Sequence, residues 1–236
     1  MPILHESGLL DNPIWNSLST EHLSLALGNH LARRYPWEIG PLSGIPSQSP
    51  ESYEALRALA APGDAVALFS PEEFRIPAAG WTQVRDGQLY QMVRQTHGNL
   101  PPAQLKQNET LRQLTEADAP AMVALAELTE PGPFRLRTLE LGNFYGIFWN
   151  ERLVAMAGKR MRVAGFTEVS AVCTHPDARG RGYARILMSL VIAEIEQDGR
   201  TAFLHTFTHN PAVRIYEALG FTIRTPLYLA VLKNDG

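Results

Sequence analysis

The sequence predicts an α/β (α+β) chain, and three observations carry that prediction. Apolar, β-branched runs such as residues 166–174 end at Gly, Pro or Asp clusters, as strands do. Apolar positions 184, 187, 188, 191 and 195 recur at helical spacing instead. Asp86-Gly87, between strand-like runs at 81–85 and 89–93, is a strong signal for a two-stranded hairpin.

The elements follow in order. Ser19 and Thr20 are candidate caps for a helix through Leu23, Leu25, Ala26 and Leu27, with Glu21 and His22 in its first turn. Residues 41–50 are a loop by composition, and 52–61 read as a short helix stopped by Pro62-Gly63. Strands are expected at 64–69, 81–85 and 89–93. Residues 95–108, with Gly98, Pro101 and Pro102, are the best linker candidate, which divides the chain into 1–108 and 109–236. Leu111 and Leu114 suggest a strand, and Thr115 to Asp118 cap a helix carrying Met122, Leu125 and Ala126. Strands at 144–149 and 153–161 flank an Asn150-Glu151-Arg152 turn. Strand 166–174 is broken by His175-Pro176-Asp177, and helix 184–195 follows with Gly199 at its C-cap. A strand at 202–206, a helix from Pro211 to Gly220, and strands at 221–224 and 228–232 complete the chain.

Composition narrows the function. Hydrophobic residues make up 45% and charged residues 19%, ordinary globular values that argue against disorder. A net charge of −3 supplies no basic field for nucleic acid. The single cysteine, Cys173, allows no intrachain disulfide and no multi-cysteine zinc site. No metal site is expected. The first residues lack a signal-peptide pattern, and no uncharged run approaches the ~20 residues of a membrane span. A cytoplasmic protein with no membrane partner is the expectation.

Arg179-Gly180-Arg181-Gly182-Tyr183-Ala184 joins a strand to a helix. Backbone N–H groups at a helix start have no intrahelical partners, and the macrodipole adds positive charge. Glycines let an anion approach the backbone, and two arginines add side-chain charge, so the segment reads as a pyrophosphate socket. It is neither a Gly-x-Gly-x-x-Gly fingerprint nor a Walker A loop.

A second segment, Asn210-Pro-Ala-Val-Arg-Ile-Tyr-Glu-Ala-Leu-Gly-Phe221, decides the ligand. With Arg179-x-x-Gly182-x-Ala184 it resembles the paired motifs of the GNAT superfamily of acyl-CoA-dependent N-acyltransferases, over about residues 109–236. The Thr174-His-Pro-x-x-Arg-Gly-x-Gly form and the long N-terminal extension look like the glycine N-acyltransferase-like branch. The resemblance implies a mixed, mostly antiparallel sheet flanked by helices, with residues 1–108 either a degenerate GNAT-like half or a separate module for acceptor recognition or dimerisation. It implies acetyl-CoA, or another acyl-CoA, as co-substrate and a small-molecule amine as acceptor; homodimerisation is left open. A non-catalytic acyl-CoA-binding or sensing module would use the same socket.

The resemblance also implies site residues. Residues 179–184 would hold the pyrophosphate, and Val172, Cys173 and Thr174 would line the pantetheine arm through their main chain. Glu168, on the strand leading into Arg179, matches the spacing of a general-base glutamate. Its strand parity differs from that of Val169 and Ala171, so it can face the acceptor. His175 is a second candidate base, in a position the family pattern assigns to the turn. Tyr216 would be the general acid at the CoA sulfur, and Asn210 would contact the cofactor or cap a helix. Cys173 reads as a small buried hydrophobe, because no basic neighbour is positioned to form its thiolate. Trp15, Trp37 and Trp81 are aromatic anchors, for a pocket or for the core. Acceptor specificity is expected from residues 133–142 and from 1–108.

Overall fold

In the computed structural model, which describes residues 7–95, 100 and 105–236, the described strands form two sheets. The small one contains β1 (Leu27–Gly28), β2 (Arg33–Arg34) and β3 (Ser43–Gly44). The main one is built from β4 (Ala65–Ser70), β5 (Trp81–Arg94), β6 (Glu109–Gln113), β7 (Phe144–Trp149), β8 (Arg152–Val163), β9 (Phe166–Thr174), β10 (Thr201–Phe207) and β11 (Phe221–Asn234). Its spatial order is β4-β11-β5-β10-β9-β8-β7-β6, and every neighbouring pair is antiparallel except β9 with β10. The helices are α1 (Pro13–Ser19), α2 (Pro50–Arg57), α3 (Ala119–Thr129), α4 (Tyr183–Gln197) and α5 (Val213–Ala218).

The two faces of the sheet bury different helices. Leu187, Met188, Val191, Ile192 and Ile195 of α4 pack with Val154, Val169, Ala202 and Leu204. Ile14 and Leu18 of α1 pack with Met161, Phe166 and Phe203, whereas Met122, Leu125 and Ala126 of α3 pack with Phe148 and Met156. Alternation along each strand sends neighbours to opposite faces, which is why Ala202 and Leu204 meet α4 while Phe203 meets α1. Each face excludes water, the main favourable term in folding.

Four sequence expectations are corrected. Asp86-Gly87 is not a turn: β5 runs straight through it, with Asp86 opposite Ala230 and Gly87 opposite Leu229 on β11. The glycine serves close packing there, since a Cβ would stand 3.2 Å from the Phe207 ring. Residues 221–234 form one strand with a bulge between Ile223 and Thr225, which absorbs the break expected at 225–227. The helix expected after Thr20 is instead α1, entered at Pro13, followed by a 3-10 turn at Leu23–Leu25. The last helix begins at Val213 rather than Pro211, because Asn210 and Pro211 shape the turn before it. The expected linker lies largely outside the described residues. Strands from both sides of residue 108 share the main sheet, with β5 inserted between β10 and β11.

Three local expectations agree with the structure. Thr115 and Asp118 form the expected capping box. The turn between β7 and β8 places Asn150 and Glu151 at φ 44° and 71°, and Gly199 ends α4 at φ 71°. No helix among the described residues is long and apolar enough to cross a membrane.

Candidate active site

The strands β9 and β10 pair only at their beginnings, Phe166–Glu168 against Thr201–Phe203. Beyond that point they part, and a cavity of about 630 Å³ opens between and beside them. It is lined by Val169 to Val172 of β9, Leu204 to Phe207 of β10, Asn210 and Tyr216. Ala171 stands at φ 52°, an uncommon conformation for a residue with a Cβ. Neither Ala171 nor Val172 has a register partner on β8 or β10. The bulge reverses the expected parity: Val172 turns toward α4, whereas Ala171 and Cys173 turn toward α3.

At the far end of β9 the chain passes through a 3-10 turn, Pro176–Ala178, into α4. Gly180 and Gly182 have φ of 76° and 80°, and a Cβ at either would meet nothing within 4 Å. Gly182 is the N-cap and offers no side chain to the first-turn N–H groups of the helix. Open backbone at a helix start fits the socket expected at 179–184. The Arg179 side chain is exposed and pairs with no acidic residue among the described ones. Arg181 lies 4.3 Å over the Trp149 ring, with Nη1 3.9 Å from Glu109 Oε1.

Tyr183 takes an inward place. Its hydroxyl accepts a 2.7 Å bond from Trp149 Nε1 and donates to Glu109, which pins the first turn of α4 to β6 and β7. Its side chain therefore anchors the start of α4. Ala184 is half-buried beside it. Cys173 packs against α3, outside the cavity, and burial pushes its thiol up to about 11. Thr174 is half-buried at the end of β9 and is also outside the cavity. His175 Nδ1 accepts from Asp177 N at 3.2 Å and caps the turn. Trp15, Trp37 and Trp81 do not line the cavity; Trp37 carries the Arg135 guanidinium 3.8 Å from its ring centroid.

Glu168 is fully buried and does not itself line the cavity. Arg160 Nε and Nη2 each donate to it at 2.7 Å, and His205 Nδ1 lies 2.7 Å from Oε1. Burial pushes the carboxyl up, but the Arg160 charge and the bonds from Arg160 and His205 outweigh it and hold Glu168 at about 2. The expectation of Glu168 as general base, directly or through water, meets an arrangement in which its oxygens are committed and it has no exposed surface. The cluster meets the cavity through Arg160 and His205.

The partners of His205 assign its tautomer. Gln91 Oε1 accepts from Arg224 Nη1 at 2.8 Å, and Gln91 Nε2 donates to Leu10 O at 2.7 Å and to His205 Nε2 at 3.0 Å. The ring proton therefore sits on Nδ1, facing Glu168. Tyr216 is 8% exposed and its hydroxyl is raised by burial, an effect Thr206 partly offsets. Thr206 Oγ1 completes no hydrogen bond among the described residues. Asn210 Oδ1 accepts from Ala212 N at 2.9 Å, so this cavity residue also shapes the turn into α5.

Sequence reasoning missed Arg160, His205 and Thr206. No motif marks them; they converge because β8 and β10 flank β9. The only available signal was parity, which puts His205 on the face of Phe203, the register partner of Glu168.

Comparison with known proteins agrees with this geometry. Residues 144–229 match the family model described as FR47-like protein. A structure assigned to the GNAT family of acetyltransferases, from Novosphingobium aromaticivorans, superposes with a TM-score of 0.85 at 36% identity, covering 96% of this chain and 99% of that one. The chain belongs to the GNAT family of acetyltransferases. A GCN5-related N-acetyltransferase from Kribbella flavida shares the fold at a TM-score of 0.62 and 18% identity, over 95% and 96% of the two chains. A GCN5-related N-acetyltransferase-like protein from Streptococcus suis does so at 0.56 and 14%, over 89% and 82%. A search of curated proteins finds no match. Membership in the GNAT family implies an acyl-CoA co-substrate, and the described residues contain no group of ligands suited to a metal ion.

Proposed function

We propose that the protein transfers an acyl group, acetyl from acetyl-CoA, to a primary amine by direct attack within a ternary complex. The observation that carries this reading is the parting of β9 from β10 beside the open start of α4. An anion socket and a cavity with acid–base groups then lie along one strand. The backbone at Gly180 and Gly182, with Arg179, holds the pyrophosphate. The unpaired main chain at Ala171 and Val172 supplies donors for the thioester arm and its carbonyl oxygen.

The proton steps follow from the cavity wall. An alkyl amine has a solution pKa of about 10.4, so it must lose a proton before attack. His205 receives it at Nε2, the lone pair that Gln91 now covers; Gln91 keeps Leu10 O as its other acceptor. Glu168 fixes the tautomer and steadies the imidazolium, while Arg160 keeps the carboxylate ionised. The amine nitrogen forms its bond to the carbonyl carbon, the C–S bond breaks, and the departing thiolate takes a proton from Tyr216. Burial favours the protonated phenol until that moment. The second nitrogen proton, shed as the amide forms, restores the Tyr216 hydroxyl, and the first leaves His205 for solvent.

Acetyl-CoA should raise the melting temperature, and free thiol should appear when a suitable amine is added. Tyr216→Phe should lower kcat by about 10–100-fold, with acetyl-CoA affinity within twofold of the parent. Equal turnover would remove Tyr216 from the acid role. Binding without thiol release from any amine would make the protein an acyl-CoA-binding module instead.

A further inference from the structure

The part of the cavity away from the β9–β10 gap is walled by the N-terminal region. Leu42, Ala67 and Phe69 line it together with Leu89, Leu229 and Val231, giving an apolar floor. Charge stands around that floor in two places. Glu127 and Glu130, at the end of α3, line one wall. Arg85 and Arg160 line the cavity as well.

The two arginines are differently committed. Arg160 gives Nε and Nη2 to Glu168, while its Nη1 makes no hydrogen bond among the described residues. Arg85 lies 5.2 Å over the ring of Phe207, itself a lining residue, and pairs with no acidic side chain among the described residues. The Arg85 guanidinium is thus an uncommitted planar fork, suited to a carboxylate. Glu168 cannot meet a second cation, because Arg160 and His205 occupy it.

We infer that the acceptor is a small amine with an apolar body and a carboxylate, an apolar amino acid, and that Arg85 reads the carboxylate. The inference rests on the acyl-transfer reading above. The apolar floor takes the body, and the acidic wall attracts the ammonium before it loses its proton. A polyamine could set one charge against Glu127 and Glu130, but its further charges would meet two arginines and an apolar surface. An apolar amine without a carboxylate would leave Arg85 unmatched.

The test uses the full chain, acetyl-CoA and four probes: L-phenylalanine, L-leucine, phenethylamine and spermidine. Thiol release gives kcat/KM for each, and acetyl-CoA binding is measured separately by thermal shift. L-phenylalanine should exceed phenethylamine by about 10–100-fold, the size of a charge-assisted hydrogen-bonded pair. Arg85→Gln should bring that ratio close to one, and Arg85→Lys should retain part of it. A preference for spermidine or phenethylamine, or an unchanged ratio in Arg85→Gln, would overturn the inference. So would acetyl-CoA binding with none of the four probes acetylated. Failure to bind acetyl-CoA would instead overturn the proposed function, and the inference with it.

Discussion

Two charged regions lie along the same stretch of chain, and they are built in opposite ways. Around Glu168 the charges are paired: Arg160 and His205 hold the carboxylate, and Gln91 holds His205. The polar network extends into the N-terminal region, where His22 Nε2 accepts from Arg162 Nε at 3.1 Å and Nδ1 lies 2.8 Å from the Tyr35 hydroxyl. At residues 179–184 the groups are left open: positive-φ glycines with free space, uncapped helix N–H groups and an exposed Arg179. A buried charge must be satisfied from within, whereas a ligand socket keeps its donors for the ligand. The first region should govern stability and proton position, and the second donor affinity.

The largest test of that division is Glu168→Ala. It leaves Arg160 buried without a counter-charge and should cost about 3–5 kcal/mol in urea unfolding. A loss under ~1 kcal/mol would mean that the cluster does not hold the sheet together.

Acid reaches the same region by another route. Burial and the Arg162 charge lower His22 from 6.5 to about 4, so the unfolded chain binds more protons between those values. Stability contributed by neutral His22 is complete above pH 6.5 and falls by about 3 kcal/mol as pH drops toward 4. Glu168, depressed from 4.5 to about 2, adds a further loss below pH 4.5. In His22→Gln the first stage should disappear from the pH dependence of unfolding; its persistence would assign it to another group.

Gly182→Glu tests the open region. It puts a carboxylate in the anion socket and a Cβ at φ 80°, a strain of about 1–2 kcal/mol. Acetyl-CoA affinity should fall by at least ~100-fold in calorimetry, about 2.7 kcal/mol, in a chain that still folds. Unchanged affinity would move the pyrophosphate elsewhere. The smallest expected effect is at the join between the regions. Ala171→Gly relieves the positive φ of the bulge and should stabilise the fold by up to about 1 kcal/mol. Destabilisation would show that the methyl group's packing with α3 outweighs backbone strain.

Local signals read well where the backbone alone decides. The Thr115–Asp118 box, the turn after Trp149 and the start of α4 at the glycines all depend on residues close in sequence. Asp86-Gly87 misled because a pairing with Leu229 and Ala230, far along the chain, overrode its turn preference. Glu168 was legible as a candidate, but its burial and its partners were not. Those partners, Arg160 and His205, arrive from the strands on either side.

The sequence by itself determined the family, and with it the acyl-CoA class of co-substrate, since both motifs are short segments legible without their neighbours. Only the tertiary structure decided which side chains surround Glu168 and which line the cavity. Burial and ion pairing are properties of neighbours brought in by β8, β10 and the inserted β5, and no local pattern carries them. The same holds for the cavity wall, where Arg85 and Phe207 meet only because β5 lies beside β10.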